Sequence, residues 1–382
     1  MNLFSTPTGE YTLNRYPATS DQQLRAWDAA DEYILQHLDS LIENEQLELN
    51  NSSKVLIIND AFGALSVALS SYQPISFSDS FLSHQAMIQN AEINHIDFKE
   101  NQLKSNFNFL SDTYDLVIIK IPKNLAMLED ELHHIRDYCN ANTIILAAAM
   151  SKHIHTSTLK LFERIIGKTT TSLARKKARL VMSEKDDSLK PGASPYPSQY
   201  TLDVTNEKYF NHANVFSREK LDIGSRFLLQ HLPQPNQYEN ILDLACGNGV
   251  LGIALAKLNP MANISFVDES YMAVESAKLN AKNLLPDISK CSFNVTDCLQ
   301  GIENDSLDLI VNNPPFHQNH VVGDFIAWQM FNEAKQKLAK DGELIIVGNR
   351  HLGYHIKLKK LFGRCEMIAS NQKFVILKAV KP

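Results

Sequence analysis

The stretch ILDLACGNGVLGIAL, Ile241–Leu255, decides the reading of this chain, because a second such stretch, VLIINDAFGALSVAL, stands at Val55–Leu69. Each reads as an apolar strand, a tight turn and the start of a helix. Three further matches follow in the same order. ISFSDS at Ile75 matches ISFVDE at Ile264. YDLVIIKIPKN, around Ile118, matches LDLIVNNPPF, around Ile310. IILAAAMSKHIHTSTLKLFER, from Ile144, matches LIIVGNRHLGYHIKLKKLFGR, from Leu344. One match can arise by chance, but four in series mark two copies of one α/β unit, fused head to tail. Within each copy apolar strands alternate with amphipathic helices. Ser270–Leu284 is one such helix, with Ala273, Ala277, Ala281 and Leu284 on one side. That alternation predicts a mostly parallel sheet with helices on both faces.

The boundary between the copies falls in EKDDSLKPGASPYPS, a polar stretch rich in Pro and Ser that begins at Glu184. We place it so that residues 1–188 form the first domain and residues 189–382 the second. QYTLDV and KYFNHANVF, after the linker, read as a hairpin leading into the second copy. Before the first copy, Leu24, Trp27, Asp31, Ile34, Leu38 and Leu41 follow helical spacing, with Ser20 or Asp21 offered as the cap.

A length of 382 residues suits two domains, and 44% hydrophobic with 21% charged residues suits an ordinary globular chain. The N-terminus shows no basic segment followed by an apolar core, so no secretory signal is visible. The longest apolar run, Ile144–Met150, is far short of the roughly 20 residues that span a bilayer. The five cysteines, at 139, 246, 291, 298 and 365, have no C-x-x-C pair and no partner histidines in a zinc pattern. Reduced thiols, a cytoplasmic location, no membrane and no metal are the expectations. A net charge of −6 argues against a chain coated in basic surface. Two basic clusters, Arg175–Arg179 and Arg350–Lys360, leave local patches for a nucleic acid, or simply solvated faces.

The second copy carries the chemistry. Gly247, Gly249 and Gly252 follow a strand and open a helix, the spacing of a dinucleotide fingerprint. Asp268 ends the next strand, where a carboxylate can accept from both ribose hydroxyls. Those features fit NAD or S-adenosylmethionine equally, and the glycines alone also fit an oxidoreductase. Asp243, inside the strand before the glycines, opposes a pyrophosphate but suits the cationic methionine moiety; its structural alternative is a cap on the turn. Asp297, in NVTDCL, can accept from an adenine amine or cap a helix starting at Cys298. LDLIVNNPPF then leaves a buried strand into two prolines, which stiffen the loop before any ligand arrives. Asn313 Oδ1 and the Pro314 carbonyl can each accept one N–H of an exocyclic amine. Phe316 can stack on the base, a contact worth about 1–3 kcal/mol. The alternative for this loop is a tight turn with a packed Phe316.

DLACGNGVLG followed by NPPF resembles the amino-methyltransferase class of Rossmann-like methyltransferases. With the tandem layout and NHANVFSREKLDIGSRFLL before the glycine strand, nearly the whole chain resembles the RlmG type of bacterial large-subunit (23S) ribosomal RNA guanine-N2 methyltransferase, whose sister family acts on small-subunit RNA. The resemblance implies two tandem Rossmann-like methyltransferase domains and S-adenosylmethionine as cofactor. It implies a cofactor site at Asp243, Ala245, Gly247, Gly249, Asp268 and Asp297, with Phe216 and Ser217 bordering it or packed under the hairpin. It also implies a catalytic loop of Asn313, Pro314 and Phe316, and 23S rRNA as partner. Cys246 and Asn248 fill variable motif positions. The rivals are a small-subunit rRNA guanine-N2 methyltransferase, an enzyme acting on another planar amine, and an RNA-binding assembly factor with both copies inactive. A monomer is expected, since the internal pair replaces a dimer.

The first copy has lost these residues. Aligned by string, Ile57 stands opposite Asp243, Ala61 opposite Gly247, Ile121 opposite Asn313, Lys123 opposite Pro315 and Asn124 opposite Phe316. Gly63 persists opposite Gly249, and Asp79 opposite Asp268. The first domain is therefore expected to be degenerate, bracing the catalytic copy and holding RNA through Lys120, Lys123, Lys152, Arg175, Lys176, Lys177 and Arg179.

Overall fold

Each repeat builds one seven-stranded sheet. The computed structural model describes residues 2–18, 24–203, 205–315 and 320–382. It divides into two units, Met1–Pro195 and Tyr196–Pro382.

The first unit opens with a hairpin, β1 (Leu3–Thr6) and β2 (Gly9–Thr12), followed by α1 (Ala29–Glu43). The sheet contains β3 (Val55–Ile58), β4 (Ile75–Phe77), β5 (Leu103–Lys104), β6 (Leu116–Lys120), β7 (Ile144–Met150), β8 (Thr169–Thr171) and β9 (Ala178–Ser183). Its order is β5-β4-β3-β6-β7-β9-β8. Only β9 runs against its neighbours. The helices between strands are α2 (Ala64–Ala68), α3 (Phe81–Ile93), α4 (Leu125–Ile135) and α5 (Thr156–Ile165).

The second unit repeats the plan: hairpin β10 (Ser198–Leu202) and β11 (Glu207–Asn211), then α6 (Ile223–Leu229). Its strands are β12 (Asn240–Leu244), β13 (Asn263–Asp268), β14 (Cys291–Val295), β15 (Leu307–Asn312), β16 (Leu338–Asn349), β17 (Glu366–Ser370) and β18 (Phe374–Val380). They lie in the order β14-β13-β12-β15-β16-β18-β17, with β18 the antiparallel member. The helices are α7 (Val250–Leu258), α8 (Tyr271–Leu284), α9 (His320–Lys337) and α10 (Tyr354–Phe362). Strand β12 shows why the sheet is covered on both faces. Ile241 packs with Val250 of α7 and Ala277 of α8, while Leu242 and Leu244 pack with Ala327 and Phe331 of α9 and Leu358 of α10. Alternate residues of a strand point to opposite faces, and each buried aliphatic side chain contributes about 1.5–3 kcal/mol.

The duplication extends to the hairpins. In the first unit Asn90 of α3 donates to the Asn14 and Phe62 carbonyls and accepts the Asn14 N–H. In the second, Asn280 of α8 donates to the Phe210 and Asn248 carbonyls and accepts the Phe210 N–H. One buried asparagine in each copy ties the hairpin to the strand–turn–helix junction.

Strand pairing corrects the string alignment. With Val55 set opposite Ile241, the β3–β6 and β12–β15 ladders bring Leu116 opposite Leu309. Lys120 then stands at the position of Asn313, and Pro122 at that of Pro315. The β3–β4 and β12–β13 ladders bring Phe77 opposite Val267. Ser78, not Asp79, therefore stands at the position of Asp268. Ser78 Oγ accepts the Ser80 N–H at 3.1 Å, as Asp268 Oδ1 accepts the Ser270 N–H at 3.1 Å. The helix before the first sheet also starts later than its spacing suggested. Asp28 caps α1 by accepting the Ala30 N–H, and Asp31 returns a bond from the Asp28 N–H. Leu24 is exposed, and Ser20 and Asp21 lie outside the described residues.

Candidate active site

Ligands of such sheets sit beyond the carboxyl ends of the strands, where the strand order reverses. In the second unit that point is β12, between β13 and β15. Leu244 pairs with Asn312, so Ala245 and Asn313 leave the sheet side by side.

The turn after β12 is built from left-handed backbone: Ala245 has φ 57°, Gly247 54° and Gly249 80°. Gly249 is required there, because an added Cβ would meet Ala277 at 3.0 Å. A Cβ on Gly247 would meet nothing within 4 Å, so its outer face is open. Asn248, expected only to fill a variable motif position, fixes this turn. Its amide donates to Tyr200 Oη at 3.1 Å and Asn211 Oδ1 at 2.9 Å on the hairpin.

Two carboxylates hold the turn, and a third lies beyond the next strand but one. Asp243 is buried; its Oδ2 accepts the Gly252 N–H at 2.8 Å, while Oδ1 has no partner. Burial pushes its carboxyl up to about 8; the Gly252 bond opposes this and the Asp268 charge adds to it. Asp268, half-buried at the end of β13, accepts the Gly247 N–H at 3.0 Å. Burial raises its carboxyl, opposed by backbone N–H donors. Asp297 is buried and receives Gln329 Nε2 at 3.3 Å. No helix follows it; the chain turns, with Cys298 at φ 46°. Phe216 is 59% exposed, while its neighbour Val215 is buried with Met272, at the start of the helix that follows Asp268. Phe216 is thus not packed under the hairpin.

At the end of β15, Asn313 Nδ2 donates to Asp222 Oδ2 at 3.1 Å and to Ser225 Oγ at 2.9 Å. Its Oδ1 is shielded and has no partner. Pro314 is buried, and Phe316 lies outside the described residues. Among the described residues no group of three His, Cys, Asp or Glu side chains could hold a metal ion. No described helix is long and apolar enough to cross a membrane.

Residues 1–187 match the family model described as the RLMG N-terminal domain, and residues 206–378 match that of the methyltransferase small domain. A relative from Yersinia enterocolitica, ribosomal RNA large subunit methyltransferase G, is 48% identical over 98% of this chain and 93% of its own length. The protein of that name from Yersinia pestis is 47% identical over 100% of this chain and 95% of its own length. The chain belongs to the ribosomal RNA large subunit methyltransferase G family. Its fold is also that of a T. thermophilus 16S rRNA N2 methyltransferase solved with AdoMet and guanosine. The TM-score is 0.76, with 19% identity, over 100% of this chain and 97% of the other.

In this family member the first copy keeps part of the turn's backbone and pairs its residues among themselves. Asn59 (φ 64°) and Gly63 (φ 80°) hold the conformations of Ala245 and Gly249. Asn59 Nδ2 reaches Glu131 Oε1 at 2.8 Å, and Phe107 stacks on Phe77 at 3.8 Å. Asn124 caps α4. Lys120 does not face solvent: its ammonium binds Asp28 at 2.8 Å and Asp31 at 2.6 Å. Lys123, Lys152, Arg175, Lys176 and Lys177 are exposed, Lys176 paired with Glu32, and Arg179 is half-buried.

Proposed function

We propose that this chain is an S-adenosylmethionine-dependent methyltransferase acting on the exocyclic amine of a specific guanine in 23S ribosomal RNA. The observation that carries it is Asn313 Oδ1, an unpartnered acceptor beside the glycine turn. An amine nitrogen with two N–H bonds finds acceptors in that oxygen and the Pro314 carbonyl, which aims its lone pair outward. Positioning of this kind can contribute roughly 7–11 kcal/mol in favourable cases.

The residues present fit the cofactor. Gly247 leaves its face open, Asp243 offers an unpartnered carboxylate oxygen suited to an ammonium, and Asp268, fixed by the Gly247 N–H, is assigned to the ribose hydroxyls. Asp297 is assigned to the adenine amine, Ala245 and Gly249 to the backbone of the turn, and Phe216 to the border of the site. When bound, S-adenosylmethionine supplies an activated methyl group, whose bond to sulfur breaks as the guanine N2 lone pair bonds to carbon, leaving a neutral thioether. Asn313 and Pro314 hold the amine while its nitrogen becomes tetrahedral, and the extra proton leaves to water. Phe316 is assigned to stacking on the base. A base must leave its stack to enter, which favours looped or single-stranded RNA.

The second domain is assigned the catalysis. The first, degenerate domain is assigned RNA holding through Lys123, Lys152, Arg175, Lys177 and Arg179, in a monomer working in the cytoplasm. The test is methyl transfer to 23S rRNA from cells lacking this protein, with methylguanosine mapped afterwards. Wild-type protein is expected to restore one methylguanosine, and Asn313→Ala to transfer about a hundredfold more slowly while still binding S-adenosylhomocysteine. Transfer to 16S rRNA, DNA or protein instead, or full activity in Asn313→Ala, overturns the reading.

A further inference from the structure

We propose that Asp222 and Ser225 are positioning residues for this transfer: together they occupy both N–H bonds of the Asn313 amide, so that only its oxygen is offered to the incoming amine. The inference rests on the reading above. A terminal amide torsion is broad and roughly two-fold, so an unheld asparagine can present either end. Presented by nitrogen, Asn313 would aim a donor at a donor. Two acceptors on that nitrogen, at 3.1 Å and 2.9 Å, remove the flipped state. Asp222 is itself fixed, because it caps α6 by accepting the Ser225 N–H at 2.9 Å. Gly224, between the two, keeps room beside the same oxygen: an added Cβ would stand 3.6 Å from Asn313 Oδ1 and 3.0 Å from Asp222 Oδ2.

The degenerate copy supplies an internal comparison. There α1 packs on β7 and β9, as α6 packs on β16 and β18. Its cap Asp28, and Asp31 three residues later, both bind the nitrogen of Lys120, the residue at the position of Asn313. The same scaffold, a helix cap and the residue three further on, thus grips a strand-end nitrogen in both copies. The charges match the cargo in each. Two carboxylates face an ammonium in the first copy. One carboxylate and one hydroxyl face a neutral amide in the second, where a second carboxylate would only repel the first.

The test uses the full chain with 23S rRNA substrate and the variants Asp222→Ser, Ser225→Ala and Asp222→Asn. Serine still caps a helix but is too short to reach Asn313. Asp222→Ser and Ser225→Ala should each lower kcat about tenfold to a hundredfold. S-adenosylhomocysteine affinity and the melting temperature should stay at wild-type values. Asp222→Asn, whose amide oxygen can accept both bonds, should recover most of the loss. In an Asn313→Ala background neither Asp222→Ser nor Ser225→Ala should lower kcat further, since nothing is left to orient. Wild-type kcat in both single variants, or undiminished losses in the Asn313→Ala background, overturns the proposal. An independent readout is hydrogen exchange of the Asn313 side-chain amide by NMR. It should be slow in wild type and faster in Asp222→Ser; equal rates also overturn the proposal. Should wild type transfer no methyl to rRNA, the functional reading falls, and the amide exchange still judges the orientation.

Discussion

Asp243→Asn should change ligand affinity and stability in opposite directions. Burial holds the Asp243 carboxyl up to about 8, so in the free protein it is protonated at neutral pH. In the unfolded chain it ionises near the ordinary carboxylate value. A folded value above the unfolded one means stability that is full below about pH 4 and is lost as pH rises through about 8. At pH 7 this costs the free protein roughly 4 kcal/mol. An ammonium beside Oδ1 favours the ionised form, so binding must release a proton below pH 8. The dissociation constant of S-adenosylhomocysteine should therefore rise about tenfold for each unit the pH falls below about 8. Asparagine keeps the bond from Gly252 and removes the charge, at a cost of about 1–3 kcal/mol for its unpartnered buried N–H. The free variant should then melt higher than wild type by the equivalent of about 1–3 kcal/mol at pH 7, bind more weakly at pH 8, and show no pH slope. Calorimetric titrations between about pH 6 and pH 8, in two buffers of different protonation enthalpy, measure affinity and proton release together. A flat wild-type profile without proton release, or an unchanged slope in the variant, would refute the assignment of Asp243 to the ammonium.

Gly249→Ala should destabilise the second unit by about 2–5 kcal/mol in urea unfolding, since its left-handed backbone and the Ala277 contact at 3.0 Å both oppose a Cβ. Gly247→Ala, with open space around the new atom, should cost about 1–2 kcal/mol of stability and instead weaken S-adenosylhomocysteine binding in the same calorimeter. Lys120→Ala leaves Asp31, already raised to about 6 by burial, without its cation. It should cost the first unit about 3–5 kcal/mol in thermal melting and leave S-adenosylhomocysteine affinity unchanged. Replacing Arg175 and Lys177 together by alanine should reduce the salt slope of rRNA binding by about two, read from filter binding over a salt series.

The degenerate copy shows how far string matching reaches. The turns of the two copies share left-handed backbone at Asn59 and Ala245 and at Gly63 and Gly249, while at the middle step Gly247 has it and its counterpart Ala61 does not. Beyond the turn the helices and loops differ in length between copies, and a string of Val, Ile and Leu matches itself almost as well one residue out of place. A slip of one turns every side chain of a strand to the opposite face. Thus Asp79 read as the counterpart of Asp268, whereas the ladder puts Ser78 there. Lys120 read as a phosphate contact, whereas it is the half-buried, ion-paired counterpart of Asn313.

By itself the sequence determined the duplication, the sheet class and the glycine turn, since each depends on a local pattern of apolar period or glycine. Tertiary structure alone decided which end of the Asn313 amide is held and which is left without a partner. Its two holders stand 91 and 88 residues away in the chain. The same is true of the pins on Asn248, which come from the hairpin through Tyr200 and Asn211. An amide looks alike from both ends to any local pattern, and only the acceptors that folding brings to its nitrogen distinguish them.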